Sequence, residues 1–297
     1  TPRRKTDVKA ELYIQCRCIN GEGPVWDAAH QCLRFIDVFG NCIHTWENGR
    51  LSTVDVGENI GCAVPRAGGG MVAGLLSGWY AVDLDSGEKK FLCNPEPNPA
   101  TRCNDGKADP LGNLWIGNMS RSLDSGAGEA QPESGLYCMD PQGQVKTMLT
   151  GLYLGNGLAW SPDGRIFYYI DTMLHNVQVF DFDPDTRSLS NGWEAFAIPA
   201  ELGLPDGMTI DCEGKLWIAM FGGGAVLRFD PDTGAVLDRV ELPCPNVTCA
   251  CFGGPEMDEL FITTGTQGTD LNAYPLAGSV FRAKTGVKGA PTYQFRG

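Results

Sequence analysis

Asp211-Cys212-Glu213-Gly214-Lys215-Leu216-Trp217-Ile218-Ala219 reads as a tight polar turn that runs straight into an apolar strand. Asp109-Pro110-Leu111-Gly112-Asn113-Leu114-Trp115-Ile116-Gly117 has the same grammar. Residues 161–168, 253–263, 28–37 and, most weakly, 67–74 follow it too. A turn-plus-strand unit that recurs along a chain is the signature of a repeat architecture.

A second unit follows each first one. An apolar strand ends in a hairpin turn at Asp83-Leu84-Asp85-Ser86-Gly87, Asp140-Pro141-Gln142-Gly143, Asp183-Pro184-Asp185-Thr186 and Asp230-Pro231-Asp232-Thr233-Gly234. Trp46-Glu47-Asn48-Gly49 and Lys284-Thr285-Gly286 fill the slot more loosely. Pro presets φ, Gly tolerates positive φ and Asp bonds the backbone two residues on, so each segment is a turn for a physical reason. Each unit then reads strand, turn, strand, loop, strand, hairpin, strand. Six such units of roughly 45 residues predict an all-β fold, a six-bladed β-propeller of four-stranded antiparallel blades. A sandwich or β-helix does not predict this unit length, and long helical periodicity is absent. The strand Glu11-Leu12-Tyr13-Ile14-Gln15-Cys16 is expected to pair into the last blade and close the ring, which removes exposed sheet edges. The expected division is an N-terminal tail over 1–10 and a single propeller domain over 11–297.

The net charge is -13, which argues against nucleic-acid and anionic-membrane surfaces, since both need clustered Lys and Arg. Arg3-Arg4-Lys5 is the one basic cluster and is short. Apolar runs are cut by Gly or charge, so no transmembrane span is expected. The chain has 12 cysteines, three histidines and no Cys-x-x-Cys, which speaks against a structural zinc site. Cysteines such as Cys32, Cys249 and Cys251 fall in strand interiors and read as buried free thiols, with disulfides in a secreted enzyme as the alternative. The expected location is cytoplasmic; the cysteine count and a start at Thr1 leave secretion open.

A propeller blade begins with its innermost strand, beside the central channel. Aligned on the turn-plus-strand marker, these strands begin at Glu22, near Cys62, at Asn104, Asn156, Asp206 and Thr248. Several are flanked by Gly or Pro, as in Gly21-Glu22-Gly23-Pro24, Gly155-Asn156-Gly157 and Pro205-Asp206-Gly207. Any one of these dipeptides alone is an ordinary turn signal. Turn chemistry does not require one repeat phase, whereas a shared site on the channel axis does. Carboxylates and carboxamides converging there make a hard-oxygen site for a divalent cation in the channel, Ca2+ first, with Mg2+, Mn2+ or Zn2+ compatible. Asp206 also stands where a general base would serve. Thr101-Arg102-Cys103-Asn104-Asp105-Gly106-Lys107 is the richest polar cluster; Arg102 could hold hydroxyls or an oxyanion, and Asn104 offers donor and acceptor. The competing reading of that cluster is a salt-bridged loop. Asp181-Phe182-Asp183-Pro184-Asp185 starts like a calcium loop, but Thr186 and Gly192 stand where glycine and a bidentate glutamate are needed, so it reads as a hairpin. No Gly-x-Ser-x-Gly elbow supports a serine hydrolase.

At these residues the sequence resembles the regucalcin / gluconolactonase / luciferin-regenerating-enzyme family. The stretches that carry the resemblance are Gly-Glu-Gly-Pro-Val-Trp at 21–26, Asn-Asp-Gly-Lys-Ala-Asp-Pro-Leu-Gly-Asn-Leu-Trp at 104–115 and Gly-Asn-Gly-Leu-Ala-Trp-Ser at 155–161. Phe-Tyr-Tyr-Ile-Asp at 167–171, Pro-Asp-Gly-Met-Thr-Ile-Asp at 205–211 and Cys-Phe-Gly-Gly-Pro at 251–255 continue it in order. The resemblance implies metal ligands at Glu22, Asn156 and Asp206, an acid/base at Asp206, and substrate contacts at Arg102 and Asn104 with Asp105 beside them. It implies hydrolysis of a sugar lactone to an aldonic acid by a monomer, or, alternatively, a non-catalytic calcium-binding regulatory propeller. One departure stands out: Gly117-Asn118-Met119-Ser120-Arg121-Ser122 lacks the acid that some members place there, and offers an arginine near the pocket. Residues 123–134, rich in Gly, Ser and acid, are expected to form a mobile rim.

Overall fold

The protein is described by a computed structural model covering residues 7–124 and 128–297. The basic cluster at residues 3–5 and part of the expected rim, 125–127, lie outside the described residues.

Six antiparallel sheets form the molecule. Blade 1 runs from its inner strand Gly21–Asp27 through Cys32–Asp37 and Cys42–Glu47 to Arg50–Asp55. Blades 2 to 5 repeat this order, with inner strands Ile60–Pro65, Thr101–Ala108, Gly155–Trp160 and Leu204–Ile210. Blade 6 starts at Val247–Gly253, continues through Glu259–Thr264 and Val280–Lys284, and takes its outer strand from Glu11–Ile14. Glu11 pairs with Arg282 and Ile14 with Val280, so the ring closes as expected, although the closing strand stops at Ile14. The inner strands of all successive blades touch, the sixth returning to the first. Of the expected tail, Asp7–Lys9 adds a parallel strand to the outer edge of blade 5.

Burial follows position. Inner strands such as Gly155–Trp160 and Val247–Gly253 are buried throughout, while the outer strand Arg50–Asp55 is mostly exposed. Hydrophobic clusters fill the spaces between neighbouring blades; one joins Tyr168 and Ile170 of blade 4 to Met208 and Ile218 of blade 5.

The recurring turn has a physical cause. Asp211 Oδ1 accepts the backbone N–H groups of Glu213 and Lys215, and its Oδ2 accepts the Trp217 indole N–H at 3.0 Å. Asp109 does the same for Leu111 and Asn113, and for Trp115 at 2.9 Å. Each Asp thus closes a turn and ties down the large ring that opens the next strand. Both are fully buried, and Asp211 also pairs with Arg228. The Asp181 stretch is a hairpin, with Asp183 accepting the N–H groups of Asp185 and Thr186. Every one of the 12 cysteines is a free thiol, nine of them buried.

Candidate metal and substrate site

The N-terminal ends of the inner strands face one end of the channel, and each inner strand carries a register shift there. The breaks fall between Glu22 and Val25, Ile60 and Cys62, Cys103 and Asp105, Gly155 and Leu158, Pro205 and Met208, and Val247 and Cys249. A β-bulge re-aims the residue it frees from the ladder. Asn104, Asn156, Asp206 and Thr248 sit inside these breaks, and Glu22 borders one. The repeat phase read from the sequence is therefore a phase of bulges. Glycine is needed where the bulges crowd: a Cβ on Gly157 would lie 2.6 Å from the Cβ of Met208 and 2.9 Å from the Asp206 carbonyl oxygen.

The side chains form one network. Arg102 donates to the Cys103 carbonyl at 3.0 Å and to Asn104 Oδ1 at 3.2 Å. Asn104 Nδ2 donates to the Gly155 carbonyl at 2.9 Å. Asn156 Nδ2 donates to Thr172 Oγ1 at 3.0 Å, and Thr172 Oγ1 donates to the Pro205 carbonyl at 2.8 Å, next to Asp206. Arg102 Nε also binds Asp124 at 2.8 Å, and the guanidinium lies 5.7 Å from the centre of the Phe39 ring.

Charge dominates the centre. Burial, then the charges of Asp206 and Asp105, push Glu22 well above the usual carboxylate range, against the pull of the Gly23 N–H and Arg102. Burial and Asp105 push Asp206 up in the same way, opposed by hydrogen bonds from Asn156 and the Gly207 N–H. Burial raises Asp105, opposed by Lys107 and the Gly106 N–H. Burial thus raises all three carboxyls, and the charge of Asp105 raises the other two further, which is the setting in which a bound cation stabilises most. Glu22 and Asp206 supply hard anionic oxygens, and Asn156, its Nδ2 engaged with Thr172, has Oδ1 to offer. This donor chemistry fits a divalent cation of the calcium class. Among the described residues no three His, Cys, Asp or Glu side chains gather as a ready-made ligand cluster. The candidate set has two carboxylates and an amide.

Four positioning residues escaped the sequence reading. Asp37 accepts the N–H groups of Ile19 and Asn20, just ahead of Glu22. Asp171 accepts those of Tyr153 and Leu154, just ahead of Asn156. The signal was present, since Phe35-Ile36-Asp37 and Tyr169-Ile170-Asp171 end the second strands of blades 1 and 4 alike. Thr172 is the third. Lys107 is the fourth: its Nζ donates to the carbonyls of Leu158 at 2.9 Å and Met208 at 2.6 Å, two residues beyond Asn156 and Asp206. Beyond Lys107 the channel continues as a largely apolar cavity of about 80 Å³, capped by Ala290, Pro291 and Tyr293.

The expected departure after Gly117 takes another form. Arg121 donates outward to the Pro99 carbonyl at 3.1 Å. An acid does arrive, but from the loop that leads into the next strand: Ser120 Oγ donates to Glu133 at 2.7 Å.

Residues 20–266 match the family described as the SMP-30/Gluconolactonase/LRE-like region. The chain belongs to this family. Among the relatives of this SMP-30/gluconolactonase/LRE-like chain, regucalcin from Danio rerio is 37% identical over 298 residues, covering 98% of this chain and all of the relative. A luciferin-regenerating enzyme superposes with a TM-score of 0.89 at 32% identity, over 97% of this chain and 99% of that one. Regucalcin from Agrobacterium tumefaciens, described as a calcium-binding protein, gives 0.90 at 25% identity, over 97% and 98% of the two chains. No helix among the described residues is long and apolar enough to cross a membrane.

Proposed function

We propose that this chain hydrolyses a sugar lactone to the corresponding aldonic acid, with one divalent cation held by Glu22, Asn156 and Asp206. The carrying observation is the convergence of the Glu22 and Asp206 carboxyls, both raised by burial and by the charge of Asp105, beside the Arg102–Asn104 pair. Membership of a gluconolactonase-like family supports the reaction class.

The chain's own groups divide the work. Arg102 and Asn104 orient ring hydroxyls, and Asp105 offers an acceptor beside them. Asp206, raised by burial and by Asp105, takes a proton from the water that adds to the carbonyl carbon. The ring C–O bond then breaks, and the alkoxide leaving oxygen receives a proton as the acid product forms. The bound cation would polarise the carbonyl and share the charge of the tetrahedral oxygen. Ca2+ is the expected ion, with Zn2+, Mn2+ and Mg2+ as alternatives within the reach of oxygen donors.

Asp206→Ala is expected to abolish turnover of a lactone panel while the circular dichroism spectrum stays that of the native protein; normal turnover in that variant sinks the proposal. A calcium-binding regulator without catalysis is the second reading, favoured by the calcium-binding description of the Agrobacterium relative. Assaying the panel after chelation and after return of each divalent ion separates the two, because a pure regulator turns over no lactone in any metal-loaded form.

A further inference from the structure

Between the closing strand and blade 1 the chain passes through Gln15-Cys16-Arg17-Cys18-Ile19, outside any strand. Gln15, Arg17 and Ile19 are exposed, whereas Cys18 is buried and Cys16 half-buried. Exposure thus alternates along the segment, and the two cysteines share its inner side. The two thiols therefore stand side by side, with their sulfurs 3.9 Å apart and the Cys18 S–H directed at Cys16 Sγ. Cys16 Sγ in turn lies 3.3 Å from the Gly278 carbonyl oxygen. The backbone around them is pinned: Cys18 N–H bonds the Gly278 carbonyl at 3.0 Å, Ser279 Oγ bonds the Cys16 carbonyl at 3.1 Å, and Thr266 Oγ1 bonds the Cys18 carbonyl at 3.2 Å.

We propose that Cys16 and Cys18 are a dithiol modification site, closed reversibly to an intramolecular disulfide by a peroxide. Cys16 is the attacking thiol and Cys18 the resolving one. Their unequal chemistry supports those roles. The hydrogen bond from Cys18 holds the Cys16 thiol below its ordinary value, while the same bond and burial push Cys18 up. The thiolate is the nucleophile, and half-buried Cys16 is the member that solvent reaches. Cys16 thiolate attacks one peroxide oxygen, the O–O bond breaks, and hydroxide leaves; Cys16 becomes a sulfenic acid. Cys18 then attacks that sulfur, forming the S–S bond and releasing water. Two thiols are oxidised, one peroxide is reduced, and the second water forms when the hydroxide takes the proton given up. A disulfide brings the sulfurs to about 2.05 Å, a movement of under 2 Å from their present separation. The bond forms in the seam that closes the ring, four residues before Glu22.

Arg17 lies between the two cysteines, so trypsin reports the bond directly. The folded protein is treated with hydrogen peroxide, alkylated, and digested without reductant. The expected result is a linked pair of peptides, 10–17 with 18–34, that dithiothreitol separates. Cys32 shares the second peptide and Cys42 is a nearby thiol. Cys18→Ser is therefore expected to lose the link and leave a Cys16 sulfenic acid that dimedone traps, while Cys32→Ser retains the link. The wild-type digest alone overturns the proposal if the link is missing, if Cys16 is found joined to Cys42, or if Cys16 goes on to sulfinic acid. Persistence of the link in Cys18→Ser overturns it as well.

Discussion

Glu22 and Asp206 are residues whose charges the fold makes costly. Both carboxyls are raised above their unfolded values by burial and by neighbouring acids. Such groups contribute stability that is complete below the unfolded carboxylate pKa and is lost as pH rises through the raised folded value. The metal-free protein is therefore expected to lose thermal stability as pH is raised from the ordinary carboxylate range toward neutrality and beyond, and Ca2+ to restore it most at the upper end. Melting curves with EDTA and with Ca2+ across that range check both signs. Glu22→Gln removes one of the opposed charges, so its metal-free melting temperature is expected to fall less with pH, and its response to Ca2+ to shrink. A wild-type melting temperature that is flat with pH in EDTA contradicts this electrostatic account.

At the scale of elements, the bulges aim the side chains and the ends of the second strands hold the bulges. Asp171→Asn keeps shape but turns an N–H2 group toward backbone donors at Tyr153 and Leu154. It is expected to cost about 1–3 kcal/mol of stability in urea unfolding. Calcium affinity is expected to fall about 10- to 100-fold by calorimetry, as for residues that orient ligands from behind. Gly157→Ala forces the inner strands of blades 4 and 5 apart where Asn156 and Asp206 face the channel. It is expected to lower calcium affinity as well, with stability falling by about 1–3 kcal/mol in the same measurement. The turns were legible because Asp, Pro and Gly act within a few residues of themselves. The channel phase was legible because glycine and an acid or amide recur together at Glu22, Asn156 and Asp206. Glu133 at Ser120, Asp124 at Arg102 and Lys107 below blades 4 and 5 were not legible. Their partners are chosen by loop paths and by the stacking of one blade on another, which leave no local pattern.

At the scale of the whole molecule, the ring depends on a strand donated from far away. Ile14 is buried against Val280, and Tyr13 packs on Phe261 at 5.0 Å and under Arg282 at 5.1 Å. Deleting residues 1–14 bares the edge of Val280–Lys284. Burial of Ile14 alone contributes about 1.5–3 kcal/mol. The truncated protein is expected to unfold at lower urea and to self-associate in size-exclusion chromatography through the open edge. A truncated protein that elutes in the same oligomeric state as the full chain and is equally stable removes the closing strand from any structural role. The same donated strand sets an order of events during synthesis. Glu11–Ile14 emerges long before Val280–Lys284. At about 5–20 residues per second, the early strand waits on the order of tens of seconds for its partner. Through that interval five blades can stack while blade 6 does not exist, so the nascent chain is an open arc whose last seam is sealed only once blade 6 has been made.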